Sequence, residues 1–186
     1  MSAEEKRDSM YTGPKKEVAS SPVNYPAPAV PRAGLATDTE CSLRPDRVVT
    51  VLAVSPHDED HIFLAHLFSH SNWKIHRADS CSQAIAVLRG NTIPVVICES
   101  EMPDNTWKGV LEELGHLPEA PLLIVTSRLA DEHLWAEVLN LGGYDVLMKP
   151  FDRLEVLRVI SLAWLHWKER RERAADAEML AQVAAG

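Results

Sequence analysis

An acidic side chain stands at the end of a short apolar run near the middle of the chain. The apolar residues 95–98 are followed directly by Glu99 and then by a turn that contains Glu101, Pro103 and Asp104. A β-branched apolar run of this length is typical of a buried parallel strand rather than of a helix. Because reacting groups in open α/β sheets lie at the carboxyl ends of the strands, Glu99 is the first candidate for chemistry.

Histidines spaced four residues apart offer a second kind of chemistry. His57 and His61 form one such pair, and His66 and His70 form another. Two histidines at this spacing on a helix can bind zinc, as in the H-E-x-x-H motif of metalloproteases. The sequence from His57 to His61 has aspartate where that motif has glutamate, and no third ligand is evident. A zinc-dependent enzyme that uses this histidine-rich first helix is an alternative hypothesis, whereas a solvated helix face is the simpler interpretation.

Alternating apolar runs and amphipathic stretches predict the elements that position these residues. The strands are predicted over residues 48–54, 73–78, 95–99, 121–127 and 144–148. A helix is predicted after each strand, with starts near Ser55, Ser80, Trp107, Asp131 and Asp152. Short connections between alternating strands and helices indicate an α/β fold, a doubly wound parallel sheet with helices on both faces. The last helix is predicted to extend beyond the domain.

Over about residues 48–165, the chain resembles a response-regulator receiver domain. Eight residues carry the resemblance by their order and spacing: Glu99, Met102, Pro103, Gly109, Thr126, Lys149, Pro150 and Phe151. The most specific parts are the Met-Pro turn after the strand-end acid and the Lys-Pro-Phe sequence after the last strand. The resemblance implies a flavodoxin-like five-stranded sheet of order 2-1-3-4-5, in agreement with the alternation of elements.

In the family that the chain resembles, an aspartate at the end of the third strand accepts a phosphoryl group beside a bound Mg²⁺. Glu99 stands at this phosphoacceptor position, and Ser55 and Pro56 stand where the family has an acidic pair that helps to hold the metal. Serine is a weak neutral ligand and proline has no carboxylate, so Mg²⁺ binding is expected to be weak or lost. Glutamate also moves the carboxylate one methylene outward. We therefore expect no phosphorylation by the family's mechanism and no cofactor.

Two further positions match those with which the family binds the phosphoryl oxygens. They are Thr126 and Lys149, and in this chain both are predicted to pair with Glu99. A Lys149–Glu99 contact would hold permanently the kind of charge arrangement that phosphorylation creates. Val146 occupies the position where the family usually has a switching Tyr or Phe. Tyr144, two residues earlier, is expected to face the same side as Val146.

A phosphoacceptor receiver with an altered acidic site is the alternative within the family. In that case Glu99 or a neighbouring acid would accept the phosphoryl group, and other carboxylates would replace the missing metal ligands. The candidate replacements are Asp58, Glu59, Glu101 and Asp104. Acids at a helix start or in a turn are commonly explained by the helix dipole and by solvation. The sequence therefore favours a degenerate pseudo-receiver.

The two ends of the chain differ in composition from its middle. Residues 1–46 hold six of the twelve prolines and are predicted to be a disordered tail. Residues 47–166 are predicted to be the receiver-like domain, and residues 167–186 an extension of its last helix. Residues 48–167 carry eight Lys and Arg residues against sixteen Asp and Glu residues, which accounts for the whole net charge of −8. This excess of acid disfavours binding to nucleic-acid phosphates.

Cysteine content and hydropathy indicate the cellular compartment in which the protein is expected. Cys41, Cys81 and Cys98 form no CxxC motif and leave an odd cysteine, so neither a disulfide framework nor a zinc cluster is indicated. No run of eighteen apolar residues occurs, and the amino terminus lacks the apolar centre of a secretory signal. We therefore expect a soluble, cytoplasmic protein that does not bind membranes.

Together, these patterns predict a stand-alone, non-enzymatic module of a two-component (phosphorelay) pathway that acts by protein–protein binding. The expected partner is a histidine kinase or another regulator, and a homodimer through the last helix is also considered. The fourth helix, the fifth strand and the fifth helix are predicted to form the contact surface. Its aromatic anchors would be Trp135, Tyr144, Trp164 and Trp167, with Trp164 the one most expected to belong to the core.

Overall fold

The computed structural model of the protein describes residues 48–184. The strands are β1 (Thr50–Val54), β2 (Lys74–Ala78), β3 (Val95–Glu99), β4 (Leu122–Ser127) and β5 (Asp145–Met148). The helices are α1 (Asp58–Phe68), α2 (Cys81–Gly90), α3 (Trp107–Gly115), α4 (Glu132–Leu141) and α5 (Arg153–Ala184). All strand pairs are parallel, and the sheet order is β2-β1-β3-β4-β5. The predicted fold class, sheet order and long last helix are confirmed. The predicted tail and Cys41 lie outside the described residues.

Two apolar cores flank the sheet because successive side chains of each strand point to opposite faces. On β3, Val96 and Cys98 face the core under α2, α3 and α4, whereas Val95 and Ile97 face the core under α1 and α5. Every residue of β3 is buried, including Glu99 at its carboxyl end. The position that the sequence marks for chemistry is therefore inside the protein rather than on its surface.

Side-chain caps fix the starts of three helices where the sequence predicts them. Ser80 accepts a hydrogen bond from the Gln83 N–H at 3.2 Å, and Asp131 accepts one from Leu134 at 2.8 Å. Asp152 accepts one from the Glu155 N–H, also at 2.8 Å. Each of these bonds satisfies an N–H that the first turn of a helix leaves unpaired.

The start of α1 differs from the prediction. His57 rather than Ser55 is the N-cap residue, and its side chain makes no capping bond. The hydroxyl of Ser55 instead accepts a hydrogen bond from the His57 N–H at 3.2 Å and is turned towards the interior. Ser55 is thus a buried residue of the β1–α1 loop and not a helix cap.

The final helix, α5, has a packed part and an exposed part. Val156, Ile160 and Ala163 are fully buried against the sheet, whereas every residue from 169 to 184 is exposed. Near the boundary, Arg170 donates a hydrogen bond to the carbonyl of Ala120, in the loop between α3 and β4. This loop lies at the amino-terminal edge of the sheet, so α5 leaves the domain at that edge. Over residues 48–184, no helix combines the length and apolar character needed to cross a membrane.

Candidate functional site

The carboxyl ends of four strands bring a set of polar side chains together. Glu99 ends β3, Thr126 lies in β4 beside it, and Lys149 follows β5. Ser55 follows β1 on the other side of Glu99. All four residues are buried. A parallel sheet places the ends of its strands at one edge, which is why residues so far apart in sequence meet here.

The ammonium of Lys149 lies between two buried carboxylates. It donates to Oε2 of Glu99 and also to Oδ2 of Asp60, an acid of the first turn of α1. The exposed fractions of Lys149, Glu99 and Asp60 are 7%, 7% and 8%. Buried ion pairs persist only where their geometry and additional hydrogen bonds compensate for lost hydration. The predicted Lys149–Glu99 contact is present, but it is part of a three-residue cluster.

Both carboxylate oxygens of Glu99 have further hydrogen-bond donors. The Thr126 hydroxyl donates to Oε2 at 3.3 Å. The N–H and the hydroxyl of Ser100 both approach Oε1 at 3.1 Å. Because Lys149 also contacts Oε2, each oxygen is held in place by at least two donors. The carboxylate is anchored at the sheet edge rather than free to approach a substrate.

Ser55 and Asp60 form the second half of the cluster. The Ser55 hydroxyl donates to Asp60 Oδ2 at 2.5 Å, and the Ser55 N–H donates to the Ala78 carbonyl at 3.0 Å. Pro56, which the resemblance places at the other position of the acidic pair, is half-buried and has no N–H to donate. The acid on this side of the site therefore comes from α1 and not from the β1–α1 loop.

His61 supports the β1–α1 loop from within the protein. Its Nε2 lies 2.8 Å from the Ser55 carbonyl and 3.5 Å from Asp79 Oδ1. Its Nδ1 is buried, and within the described part of the chain it has no hydrogen-bond partner. A proton on Nδ1 would be buried without an acceptor, so the geometry favours the tautomer in which Nε2–H donates to Ser55.

The histidine pairs do not converge on a metal-like geometry. His57 is exposed, whereas His61 is buried with Nε2 turned to the Ser55 carbonyl. His66 and His70 lie edge to face with their ring centroids 6.4 Å apart. Between residues 48 and 184, no group of three or more His, Cys, Asp or Glu residues is placed to hold a metal ion.

Three of the four acids that the sequence offers as replacement ligands make contacts away from Glu99, and the other one, Glu101, is exposed. Asp58 pairs with Arg77 at 2.6 Å, and Glu59 lies 3.5 Å from Arg128. Glu101 is exposed in the turn after β3. None of these three is the acid that shares Lys149 with Glu99. That acid is Asp60, which the sequence analysis did not single out.

Asp104, the fourth candidate, binds the amino terminus of α2 instead. Its carboxylate accepts hydrogen bonds from the N–H groups of Cys81 at 3.0 Å and Ser82 at 3.1 Å, and from the Ser82 hydroxyl at 3.0 Å. The two N–H bonds are the main reason that the pKa of Asp104 lies below its ordinary value. Asp104 therefore ties the loop after β3 to α2, and its role here is structural.

The donor set of the cluster does not fit Mg²⁺. This ion prefers several hard oxygen ligands in near-octahedral geometry. Asp60 and Glu99 are the two carboxylates that meet, Ser55 adds a neutral hydroxyl, and the Lys149 ammonium lies between the two acids. The place where a cation would reach both carboxylates is taken by a cation of the chain itself.

The comparison with protein families assigns this domain to one family. The model of the response regulator receiver domain matches residues 51–161. The chain is a member of the response regulator receiver domain family. Glu99 thus lies at the edge of a receiver sheet, and Thr126 and Lys149 contact it there.

Known relatives of this receiver domain include a curated protein and solved structures. The chain is 35% identical over 114 residues to "Probable transcriptional regulatory protein TcrX" of Mycobacterium tuberculosis, covering 59% of this chain and 47% of that protein. The chain thus spans about half the length of this relative. The signal receiver domain of an HD domain-containing protein from Pseudomonas fluorescens Pf-5 has a TM-score of 0.63 at 25% identity, covering 72% of this chain and 98% of that one. The chemotaxis response regulator CheY4 of Vibrio cholerae shares the fold with a TM-score of 0.58 at 17% identity, covering 63% and 99%.

Val146 and Tyr144, which the sequence analysis compares with the family's aromatic switch, lie on opposite faces of the sheet. Val146 packs against the core under α2, α3 and α4. Tyr144 packs against the opposite core, and its hydroxyl lies 2.9 Å from Nδ1 of His166 on α5. Partial burial raises the pKa of the Tyr144 phenol. The expectation that Tyr144 faces the same side as Val146 is wrong, because Tyr144 precedes β5 and does not follow its alternation.

The four aromatic residues proposed as surface anchors occupy different environments. Trp135 on α4 is 51% exposed and its Nε1–H donates to Asp145 of β5 at 3.4 Å. Tyr144 and Trp164 are half-buried against the core under α1 and α5. Trp167 is buried, and the Arg171 guanidinium lies 5.4 Å from its ring centroid. Within this chain, Trp135 is the most accessible of the four.

Two exposed aliphatic residues that the sequence analysis did not single out lie on β5 and α5. Met148 at the end of β5 is 54% exposed, and Leu154 in the first turn of α5 is 75% exposed. Both are large apolar side chains, and β5 is in contact with α4 as well as with α5. Both side chains are therefore accessible to a partner protein.

The two cysteines of the described chain are free and buried. Burial is the main reason that the pKa of Cys81 is raised to about 11 and that the pKa of Cys98 is raised further. A thiol with a raised pKa has little thiolate at neutral pH and is a poor nucleophile. Cys98 thus acts as a small apolar residue of the core beside Glu99.

Proposed function

We propose that this receiver domain is a two-component signalling module that binds a partner protein without being phosphorylated itself. The observation that carries the proposal is the contact of Lys149 with both Glu99 and Asp60. A nucleophilic carboxylate must approach a phosphoryl group that a cation neutralises. Glu99 is instead held by Lys149, Thr126 and Ser100, and the acidic pair of the family is replaced by Ser55 and Pro56.

The fixed ion pair also supports a constitutive mode of action. In a switching receiver, binding of phosphate rearranges the charges at the strand ends. Here a charge-assisted contact between Lys149 and Glu99 is already present in the unmodified chain. We therefore propose that the domain holds one conformation and presents one surface to its partner at all times, without Mg²⁺ or another cofactor.

Phosphoryl transfer is tested with acetyl phosphate and with beryllofluoride, which imitates a phosphoryl group. The purified chain is incubated with each reagent and millimolar Mg²⁺, and intact mass and the amide NMR signals of Glu99 and Thr126 are recorded. We expect no increase in mass with acetyl phosphate and no saturable shift of these NMR signals with beryllofluoride. The Glu99→Asp, Ser55→Asp, Pro56→Asp variant, which restores the family's acids, serves as the positive control. Phosphorylation or saturable binding by the unaltered chain would contradict the proposal and support a phosphoacceptor with an altered site.

The proposed contact surface is formed by α4, β5 and the first turn of α5. It includes Trp135, Met148 and Leu154, which are all more than half exposed. Aromatic and large apolar side chains dominate the energetics of protein interfaces. We propose a histidine kinase or another regulator of the same pathway as partner, and the cytoplasm as the place where they meet. Because residues 48–167 carry twice as many acids as bases, we propose no direct contact with nucleic acid.

The surface is tested by binding of purified histidine kinases from the source genome to the immobilised chain. Trp135→Ala and Met148→Ser are expected to weaken binding about tenfold or more. Ile62→Ser on α1, where the side chain is 67% exposed, is the matched control and should leave binding unchanged. Equal loss in all three variants, or loss only in Ile62→Ser, would place the interface elsewhere. Sedimentation of the chain alone tests whether a second copy binds through α5 instead.

A further inference from the structure

We propose that the outer side of α5 is a docking surface for a helix of another protein, one with apolar side chains at both ends of the contact and lysine or arginine at its centre. The surface is a stripe, called the α5 stripe below, that runs along the helix from Leu162 to Val183. It does not include Trp135, Met148 or Leu154. The inference therefore goes beyond the proposed function and assigns a second contact surface.

The α5 stripe is acidic at its centre and apolar at both ends. Alternating steps of three and four residues place its members on one side of the helix. Before the centre, Leu162 is exposed and Leu165 is half-buried, and after the centre Met179 and Val183 are exposed. The centre consists of three exposed acids, Glu169, Glu172 and Asp176.

The outer part of α5 gains little stability from the domain, because every residue from 169 to 184 is exposed. A helix of about this length is only marginally stable in water on its own, and most helical stability in proteins comes from packing of one face. Met179 and Val183 lie one turn apart, and Leu180 beside them is 70% exposed. These three side chains form the apolar face that a second helix would cover.

The charges of the α5 stripe disfavour a second copy of this chain as the occupant. If the apolar ends of two copies met, in a parallel or an antiparallel pair, the acids of one copy would face the acids of the other and repel them. In a parallel pair, Lys168 and Arg173, which flank the stripe, would also face each other. These cations lie 3.4 Å from the acids of their own helix, Glu172 and Glu169.

A partner helix with the opposite charge pattern fits the stripe. Lysine or arginine at its centre would pair with Glu169, Glu172 and Asp176, and glutamates at its flanking positions would pair with Lys168 and Arg173. Apolar side chains at its ends would cover the two apolar ends of the stripe. At 1.5 Å per residue the stripe is about 30 Å long, which gives room for about six turns of the partner.

The test uses two designed helical peptides with leucines at both ends of the contact face. One peptide has lysines at the central contact positions, and the other has glutamates there. Binding of each labelled peptide to the full chain is followed by fluorescence anisotropy. We expect the lysine peptide to bind saturably and at least about tenfold more tightly than the glutamate peptide, and this advantage should shrink at high salt. Equal affinities, or no saturable binding of the lysine peptide, would overturn the proposal.

Two charge reversals on the exposed part of α5 locate the surface. Glu172→Lys, at the centre of the stripe, should weaken binding of the lysine peptide about tenfold or more. Glu178→Lys is the matched control, because it makes the same change of charge at an exposed residue turned about 240° around the helix. It should leave the affinity unchanged. Equal losses would overturn the proposal, since the net charge of the chain rather than the stripe would then determine binding.

A second pair of variants tests the apolar end of the stripe. Met179→Ser should weaken binding of the lysine peptide, whereas Ala181→Ser, at an exposed residue turned about 200° from Met179, should not. Equal affinities of these two variants would contradict the role of the apolar end.

The oligomeric state of the chain distinguishes a partner helix from a second copy. Sedimentation of the unaltered chain should show a monomer, and a dimer that Met179→Ser dissociates would overturn the proposal in favour of a second copy. Trp135→Ala should bind the lysine peptide as tightly as the unaltered chain does, because Trp135 lies on α4. The α5 stripe and the proposed function can therefore fail separately.

Discussion

The hydroxyl of Ser55 donates a 2.5 Å hydrogen bond to the carboxylate of Asp60. The two residues are five positions apart, one in the β1–α1 loop and the other in the first turn of α1. The β1–α1 loop has no carboxylate at Ser55, but Asp60 brings one to the same part of the site. The Ser55 hydroxyl is a donor that orients this acid of the following helix.

Ser55→Ala should destabilise the domain by about 1–3 kcal/mol, because it removes a donor to the buried Asp60 and an acceptor of the His57 N–H. Unfolding by urea, followed by tryptophan fluorescence, measures the change. Ser69→Ala is the control, since the Ser69 hydroxyl bonds the His66 carbonyl at an exposed helix end. A loss for Ser55→Ala no larger than that for Ser69→Ala would contradict this role.

Asp104→Asn should lower stability at neutral pH and have no effect in strong acid. The pKa of Asp104 is lower in the folded chain than its ordinary value near 3.8, so its contribution is present above that value and is lost as the pH falls through the folded pKa. The carboxylate is largely exposed, so the loss should stay below about 1 kcal/mol. Urea unfolding of both proteins from neutral pH to pH about 2 checks the convergence.

The control for this pH dependence is Asp176→Asn on the exposed part of α5. It should leave the unfolding curves of the chain unchanged over the same range. An Asp104→Asn deficit that persists in strong acid would show that the carboxylate's charge does not cause the effect.

Trp167→Ala and Trp135→Ala should differ strongly in stability. Trp167 is buried under Arg171, so its truncation leaves a cavity and is expected to cost about 3–5 kcal/mol. Trp135 is half exposed, so its replacement should lower the free energy of unfolding by less than about 1 kcal/mol. Thermal and urea unfolding of the two variants distinguish core from surface. Similar losses would mean that α5 does not pack around Trp167 as described.

Gly142→Ala and Gly90→Ala should shift stability in opposite directions. Gly142 ends α4 with a φ of +100°, a conformation that costs a residue with a Cβ about 1–2 kcal/mol. Gly90 is the last residue of α2, and an added Cβ there would meet nothing within 4 Å. Alanine at Gly90 is expected to add up to about 1 kcal/mol by restricting the unfolded chain. Calorimetric melting temperatures measure both effects, and a destabilising Gly90→Ala would contradict the open space around that residue.

Most of the fold could be predicted because local patterns and global topology agree in this chain. The run Val95–Glu99 is too short for a helix and is bounded by Pro94, and Asp131 and Asp152 are effective helix caps. Alternation of such strands with helices leaves few arrangements of a parallel sheet. The meeting of Glu99, Thr126 and Lys149 follows from the same topology, since all three stand at strand ends.

Asp60 was missed because three consecutive acids at a helix start look equivalent in sequence. They are not equivalent on the helix, where successive side chains are turned by about 100°. Asp60 lies four residues before Leu64, which is buried under the sheet, so the spacing places both on the inner face. Asp58 and Glu59 lie on other sides and meet Arg77 and Arg128. Helical periodicity, applied to the polar residues as well, would have identified the acid.

Tyr144 and Trp167 show a different limit of sequence reasoning. Their burial depends on where a strand or a packed helix face stops, and this is decided by contacts with other elements. Tyr144 precedes β5 by one residue, and Trp167 lies beside the point where Arg171 pairs with Glu119 at 2.8 Å. No local pattern contains these contacts.

The exposed part of α5 extends the chain away from the domain over a fixed distance. The thirteen residues from 172 to 184 form a continuous helix, which at 1.5 Å per residue reaches about 20 Å beyond the last contacts with the α3–β4 loop. Just before this segment, Arg170 and Arg171 contact the α3–β4 loop, so the direction of the helix is fixed relative to the domain. A molecule bound at the end of this helix, near Ala184, would be held away from the sheet, at the edge opposite Lys149. The exposed part of the helix would then act as a spacer of fixed length.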